Sequence, residues 1–301
     1  MKSSSPCLLL LLAVAANGQR GAQPDRVEPT QNLPFKNPNI ECGISMLNFN
    51  PRDPVLPPTL WTLKFVYPPA PPGNGQISCL GTLIRPKIVL TAAQCVQTIQ
   101  PIQVKTSMCE DENGKDCLRG ITRIISHSNY STLQPNQEND VALVQLDETI
   151  LSMGVACLPI NSDVLLPPMS NFLVDAQKLA VYTLVGANLH KKGIAIGRPG
   201  GEQGISPTEL VPLEQCRKIY NYNIRLVDSH LCGKGYGPQP VEPCIGDSGG
   251  SLLTLDDTNH WTLVGVVSLG LPKCADDEKP TIYTNVGSHL QWIQDTLNKL
   301  N

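Results

Sequence analysis

The sequence predicts an all-β fold, a barrel or sandwich that ends in one α-helix. Two observations carry this. Runs of β-branched and apolar residues are short and are separated by turn residues along most of the chain. Only the last dozen residues place apolar side chains at helical spacing, with Leu290, Ile293, Leu297 and Leu300 on one stripe.

The elements follow in chain order. Residues 1–16 read as a signal peptide. Lys2 supplies a positive start, and the nine apolar residues from Leu8 to Ala16 are too few to span a bilayer. Small residues follow, so cleavage after Ala16 or Gly18 fits. Residues 17–55 are polar and proline-bearing, an extended lead segment on the surface. Trp61–Tyr67 alternates as a strand does, and Pro68–Gly75 is a stiff loop joining it to the next. Further strands are expected at Ile77–Ile84, Ile88–Leu90, Ile121–Ile125, Val141–Leu146, Leu179–Val185, Ser251–Leu255 and Trp261–Ser268. Gly186–Pro207 is rich in glycine and reads as a mobile surface loop. His289–Leu300 is the helix, with Ser288 available as its N-cap.

Composition narrows the class of function. A chain of 301 residues with 41% hydrophobic and 16% charged residues can bury a core. A net charge of −3 leaves no basic footprint for nucleic acid or for an anionic membrane. No lipid-anchoring tail closes the chain, so the reading is a secreted, soluble protein without a membrane anchor. There are eleven cysteines, and Cys7 lies in the signal segment. The other ten suggest five disulfides in a secreted chain, and no C-x-x-C pair points to zinc. Ten cysteines allow roughly a thousand pairings, so connectivity stays open at this level.

Three segments carry the chemistry. They are Thr91-Ala92-Ala93-Gln94-Cys95, Asn139-Asp140-Val141-Ala142-Leu143 and Cys244-Ile245-Gly246-Asp247-Ser248-Gly249-Gly250. With Tyr283-Thr284-Asn285-Val286 and Trp292-Ile293, they resemble the chymotrypsin-like (trypsin) family of serine proteases over about residues 56–300. The resemblance implies two perpendicular six-stranded β-barrels with a C-terminal helix, and a peptidase-like domain over 56–301. It implies that Ser248 matches the nucleophile and Asp140 the buried carboxylate, with the N–H groups of Gly246 and Ser248 forming an oxyanion hole. It pairs Cys79 with Cys95, Cys216 with Cys232, and Cys244 with Cys274. It also implies that Cys42 and Cys157 tether the lead segment, leaving Cys109 and Cys117 for a local loop.

The departures matter more than the match. Gln94 stands where the family has its general base, and an amide cannot take a proton from Ser248 at neutral pH. Loss of that base costs roughly 2 × 10⁶ in kcat in a related triad, or about 8–9 kcal/mol of barrier. Met46-Leu47-Asn48-Phe49-Asn50-Pro51 occupies the place of the activation start and offers no basic cleavage site. Asp247 is therefore expected to lack the ammonium partner it has in active members. In the specificity pocket, Glu242 takes the selective position and Thr281 should narrow the slot. Leu269 replaces an aromatic in the edge segment Ser268-Leu269-Gly270. His127, His190, His230, His260 and His289 read as surface or turn residues rather than substitute bases. Asn129-Tyr130-Ser131 is a glycosylation acceptor. The acidic loop Cys109–Cys117 reads as a solvated turn rather than a calcium site.

The functional expectation is a secreted, catalytically inactive serine protease homologue that binds proteins. Its expected partners are secreted proteins, such as an active protease or its zymogen substrate. No cofactor, metal or nucleic acid is expected. The alternative is a serine-type endopeptidase that uses Ser248 with a non-standard base. A storage or structural role is the third reading.

Overall fold

Alternation decides where each strand puts its side chains, and pairing decides which strands close. The structure, a computed structural model, describes residues 42–44, 61–70, 78–106, 117–130, 138–150, 154–159, 182–186, 190–191, 194–195, 204–235, 241–243, 246–255, 260–269 and 279–300. All of them belong to the unit Leu33–Asn301. The signal peptide, most of the lead segment, the tip of the proline loop and the acidic loop up to residue 116 lie outside the described residues.

The first half forms β1 (Thr62–Val66), β2 (Leu80–Arg85), β3 (Ile88–Thr91), β4 (Gln103–Thr106), β5 (Leu118–Ser126) and β6 (Ala142–Leu146). These close into an antiparallel barrel in the order β1-β2-β3-β6-β5-β4, with β4 returning to pair with β1. In β1, Leu63 and Phe65 point into the core while Lys64 faces solvent.

The second half forms β7 (Tyr182–Gly186), β8 (His190–Lys191), β9 (Ile194–Ala195), β10 (Gly204–Val211), β11 (His230–Gly235), β12 (Val241–Glu242), β13 (Ser251–Leu255), β14 (Trp261–Leu269) and β15 (Thr281–Asn285). Six of these close a second barrel in the order β10-β11-β15-β14-β13-β7. The short strands make a separate sheet, β12-β8-β9. The two closed barrels have no open edge of their own. The expected all-β fold is thus a pair of six-stranded barrels.

Three helices complete the described chain: α1 (Gln94–Gln97), α2 (Leu213–Ile219) and α3 (Leu290–Leu300). In α3, Ile293, Leu297 and Leu300 are buried, so the predicted stripe is the docked face. One continuous core holds β1 residues such as Leu63 together with Leu253 and Val266 of the second barrel and with the α3 stripe. Leu231, Leu252, Val264, Val267 and Tyr283 form a separate core cluster in the second barrel.

Four sequence expectations need correction. Gly186–Pro207 is not simply a loop. It holds β8 and β9, and its end begins β10, where Gly204 to Pro207 pair with β7 from Gly186 back to Thr183. Cross-strand pairing overrides the weak local propensity of that glycine-rich stretch. The strands β4, β11 and β15 and the helix α2 were also not predicted. They are only four to seven residues long, too short for an apolar period to stand out. Ser288 does not cap α3. It sits inside a 3-10 turn, Gly287–His289, and its hydroxyl donates to the Asp228 carbonyl at 3.3 Å. Finally, His230 and His289 are buried rather than surface residues.

Disulfides join Cys42 to Cys157, Cys79 to Cys95 and Cys216 to Cys232. Cys117 is also disulfide-bonded, while Cys109, Cys244 and Cys274 lie outside the described residues. The first bond docks a piece of the lead segment. Gly43 donates its N–H to Val155 O at 2.7 Å and accepts from Trp261 N at 2.9 Å. Its φ is +71°, and a Cβ there would stand 2.7 Å from the Trp261 backbone. Gly43→Ala should therefore cost about 1–3 kcal/mol, from left-handed strain and the clash. Thermal unfolding checks this, and an unchanged Tm would contradict the tight docking.

Candidate functional site

The centre of the site is a carboxylate that the chain has buried completely. Asp140 has no solvent exposure. It follows Asn139, whose φ of +60° turns the chain just ahead of β6. Asparagine tolerates that conformation better than most side chains. Asp140 O accepts the Thr284 hydroxyl from β15 at 2.8 Å, which ties the turn to the second barrel.

Three hydrogen bonds converge on the carboxylate. The Gln94 backbone N–H donates to Oδ1 at 2.8 Å, and the neighbouring Ala93 backbone also favours the charged form. These are amides at the start of α1, so Asp140 caps that helix in place of its own N-cap, Ala93, which offers no side-chain cap. The Gln94 side-chain Nε2 donates to Oδ2 at 2.9 Å. The Ser268 hydroxyl, from β14, donates to the same oxygen at 2.7 Å. A carboxylate offers about four acceptor sites, and these bonds take three of them.

The Gln94 amide does more than touch Asp140. Its Nε2 also donates to the Ser268 carbonyl oxygen. Both N–H bonds of one amide are thereby committed, one to each barrel. The side chain is a double donor at this position, and an amide nitrogen has no basic lone pair.

Burial still dominates the charge of Asp140. Desolvation pushes its pKa up to about 6, against the lowering effect of the Ser268 hydroxyl, the Gln94 bonds and the Ala93 backbone. The same carboxylate, together with burial, holds the Tyr130 phenol well above its ordinary range.

Ser248 enters from the other side. Its loop needs glycine, because φ is +100° at Gly246 and +79° at Gly249. A Cβ at Gly249 would lie 2.1 Å from Leu80 O and 2.4 Å from the Thr91 hydroxyl. The Ser248 carbonyl accepts Leu80 N–H at 2.8 Å, and Thr91 Oγ1 donates to Leu80 O at 2.7 Å. The loop is stitched to β14 through Gly249 N to Val267 O and Val267 N to Gly250 O, both 2.9 Å. Among the described residues, no hydrogen bond links Ser248 to Gln94. Asp247 is fully buried and is not without interactions.

The pocket residues are placed unevenly. Ser268 and Thr281 are both buried on neighbouring strands, β14 and β15. The Glu242 backbone lies in β12, opposite His190 of β8. Gly270 lies outside the described residues. Asn129 is exposed on a turn, where its N–H donates to His127 Nδ1 at 3.3 Å. Among the described residues there is no cluster of His, Cys, Asp and Glu that could hold a metal ion. No described helix is long and apolar enough to cross a membrane.

Sequence reading missed two parts of this geometry. The commitment of Gln94 to the Ser268 carbonyl needs the two barrels in place. The buried cluster around His289 was also missed. His289 Nδ1 lies 2.7 Å from the Asn285 carbonyl and Nε2 3.3 Å from the Asn139 side-chain oxygen, with His127 packed edge-on. Its helical position next to Leu290 was the only available signal.

Comparison with known proteins agrees with this geometry. The family model described as Trypsin matches residues 70–293. The CLIP domain-containing serine protease HP8 of Bombyx mori is 29% identical over 245 residues, covering 73% of this chain and 62% of that protein. Chymotrypsin-C of Bos taurus is 28% identical over 227 residues, covering 73% and 78%. Serine protease ea of Drosophila melanogaster is 27% identical over 248 residues, covering 73% and 59%. The chain thus spans about three fifths of the length of the HP8 and ea proteins.

The buried carboxylate makes stability depend on pH with a definite sign. The folded pKa of Asp140, about 6, lies above the ordinary 3.8. The folded state therefore holds a proton that the unfolded state releases between those values. The stabilisation is complete below about pH 4 and is lost as pH rises through about 6. The loss is on the order of 3 kcal/mol. Denaturant unfolding of wild type and Asp140→Asn between pH 4 and 7 should differ by this slope. Equal slopes would show that Asp140 titrates normally.

Proposed function

The chain belongs to the trypsin family, and from that premise we propose that it is a secreted homologue that works by binding proteins rather than by cutting them. The observation that carries this reading is the double donation from Gln94. The position that should accept a proton from Ser248 instead gives both amide hydrogens away, to Asp140 and to the Ser268 carbonyl. Catalysis by a serine hydroxyl needs a base within hydrogen-bond reach, and this amide is neither basic nor directed at Ser248.

In this reading Asp140 and Ser248 are remnants of a triad, and the N–H groups of Gly246 and Ser248 are remnants of an oxyanion hole. The absence of a basic residue before Met46-Leu47-Asn48-Phe49 removes the cut that would supply a new N-terminus. Glu242, Ser268, Gly270 and Thr281 would line a narrowed pocket. Residues 1–16 would direct secretion, residues 17–55 would stay attached through Cys42–Cys157, and Asn129 would carry a glycan. The partners would be other secreted proteins, such as an active protease or its zymogen. The proline loop and the Gly186–Pro207 region would offer contact surface.

The rival reading is a peptidase that retains Ser248 and recruits another base. A fluorophosphonate that labels activated serines separates the two. Wild-type protein should label at Ser248 only at the slow rate of an unactivated hydroxyl. Rapid stoichiometric labelling would sink the non-catalytic reading. Gln94→His should label faster than wild type, because an imidazole can donate to Asp140 and face Ser248 at once. It should still lack full peptidase activity, since no activation start has been restored. Full turnover of peptide substrates by this single variant would refute the second half of the account.

A further inference from the structure

On the first barrel, the β2–β3 turn, Gln145 of β6 and the end of α3 line a half-open cleft of about 270 Å³. Its floor is apolar, made by Ile88, Leu297 and Leu300, all buried. Its polar lining comes from Arg85, Lys87 and Gln145. The walls are pinned. Leu146 N donates to Lys87 O at 2.8 Å, Ile150 N to Pro86 O at 2.8 Å, and Gln145 Nε2 to Leu300 O at 3.0 Å.

Arg85 is the anomaly. It is partly buried, yet among the described residues no carboxylate, carbonyl or ring partners its guanidinium. Lys87, by contrast, donates to the Asp147 carbonyl at 2.9 Å. Burial without a partner disfavours the charged form of Arg85 and lowers its pKa from the ordinary value. None of its nitrogens is among the buried side-chain atoms that lack a partner, so its donors stay open to an incoming acceptor. The planar fork of an arginine is built to meet a carboxylate with two parallel bonds.

We propose that this cavity is a binding site for a carboxylate carried on a short apolar stem, with Arg85 as the partner of the anion. The stem would lie on Ile88, Leu297 and Leu300, and Lys87 would add a second positive charge at the rim. The volume holds on the order of nine water-sized groups, which suits one short chain rather than a large cofactor. The site does not involve Gln94, Asp140 or Ser248, so it stands whether or not the protein cuts peptides.

The test is a ligand-observed NMR titration of the full chain with three probes: hexanoate, neutral hexan-1-ol, and the blocked peptide acetyl-Leu-Glu-Leu-amide. Hexanoate should bind wild type more tightly than hexan-1-ol does. Arg85→Gln should weaken hexanoate binding at least tenfold and leave hexan-1-ol unchanged. Arg85→Lys should recover part of the loss. Peptide binding with the same dependence on Arg85 would identify a protein side chain as the natural source. Binding of hexanoate alone would identify a free acid. Equal affinity of wild type and Arg85→Gln for hexanoate would overturn the proposal. So would equal affinity of wild type for hexanoate and hexan-1-ol, or no binding by any probe. Thermal unfolding controls for folding, because removing an unpartnered cation should not lower Tm.

Discussion

The rest of the site depends on one buried carboxylate that takes its donors from both barrels. Asp140 draws donors from the start of α1 and from β14, so one side chain links the first barrel to the second. A carboxylate buried this deeply costs several kcal/mol unless it is bonded, and each bond to it returns about 1.5–3 kcal/mol. That accounting explains why position 94 must hold a donor even when no base is needed. An apolar residue there would leave Oδ2 with the Ser268 hydroxyl alone. Glutamine meets the structural demand of the position with an amide, which is not a base.

This separates two things that a histidine does at once. An imidazole gives one N–H to the carboxylate and keeps its other nitrogen for the serine. The Gln94 amide nitrogen also gives an N–H to the carboxylate, but its second N–H goes to the Ser268 carbonyl. The amide supplies donors that link the two barrels, and its nitrogen cannot accept a proton. Around it, the backbone of the Ser248 loop retains glycine-only angles and close contacts with Leu80. Those contacts are packing constraints between barrels and persist without catalysis.

The sequence made the fold class legible where alternation or a continuous apolar run was strong, as in β1 and β14. It failed at β10 and β11, whose glycines, proline and lysine look like loop residues until their partners in the barrel are known. The C-terminal helix was legible as a stripe, but its start was not, because a 3-10 turn displaced Ser288 from the capping position. At the site, Gln94, Asp140 and Ser248 could be named from short motifs. What Gln94 does could not, since the Ser268 carbonyl lies 174 residues further along the chain. Arg85 was invisible for a related reason. A lone arginine in a hairpin carries no signal until the end of α3 lines a cleft beside it.

The central claim is that the Gln94 side chain is a structural donor to Asp140. A double-mutant cycle measures this directly, using Gln94→Leu, Asp140→Ala and the pair, with stability read at pH 8, where the carboxylate is charged. The account predicts a coupling free energy of about 1.5 kcal/mol or more, as expected for a hydrogen bond to a charged group. Additivity of the two single changes to within about 0.5 kcal/mol would contradict it.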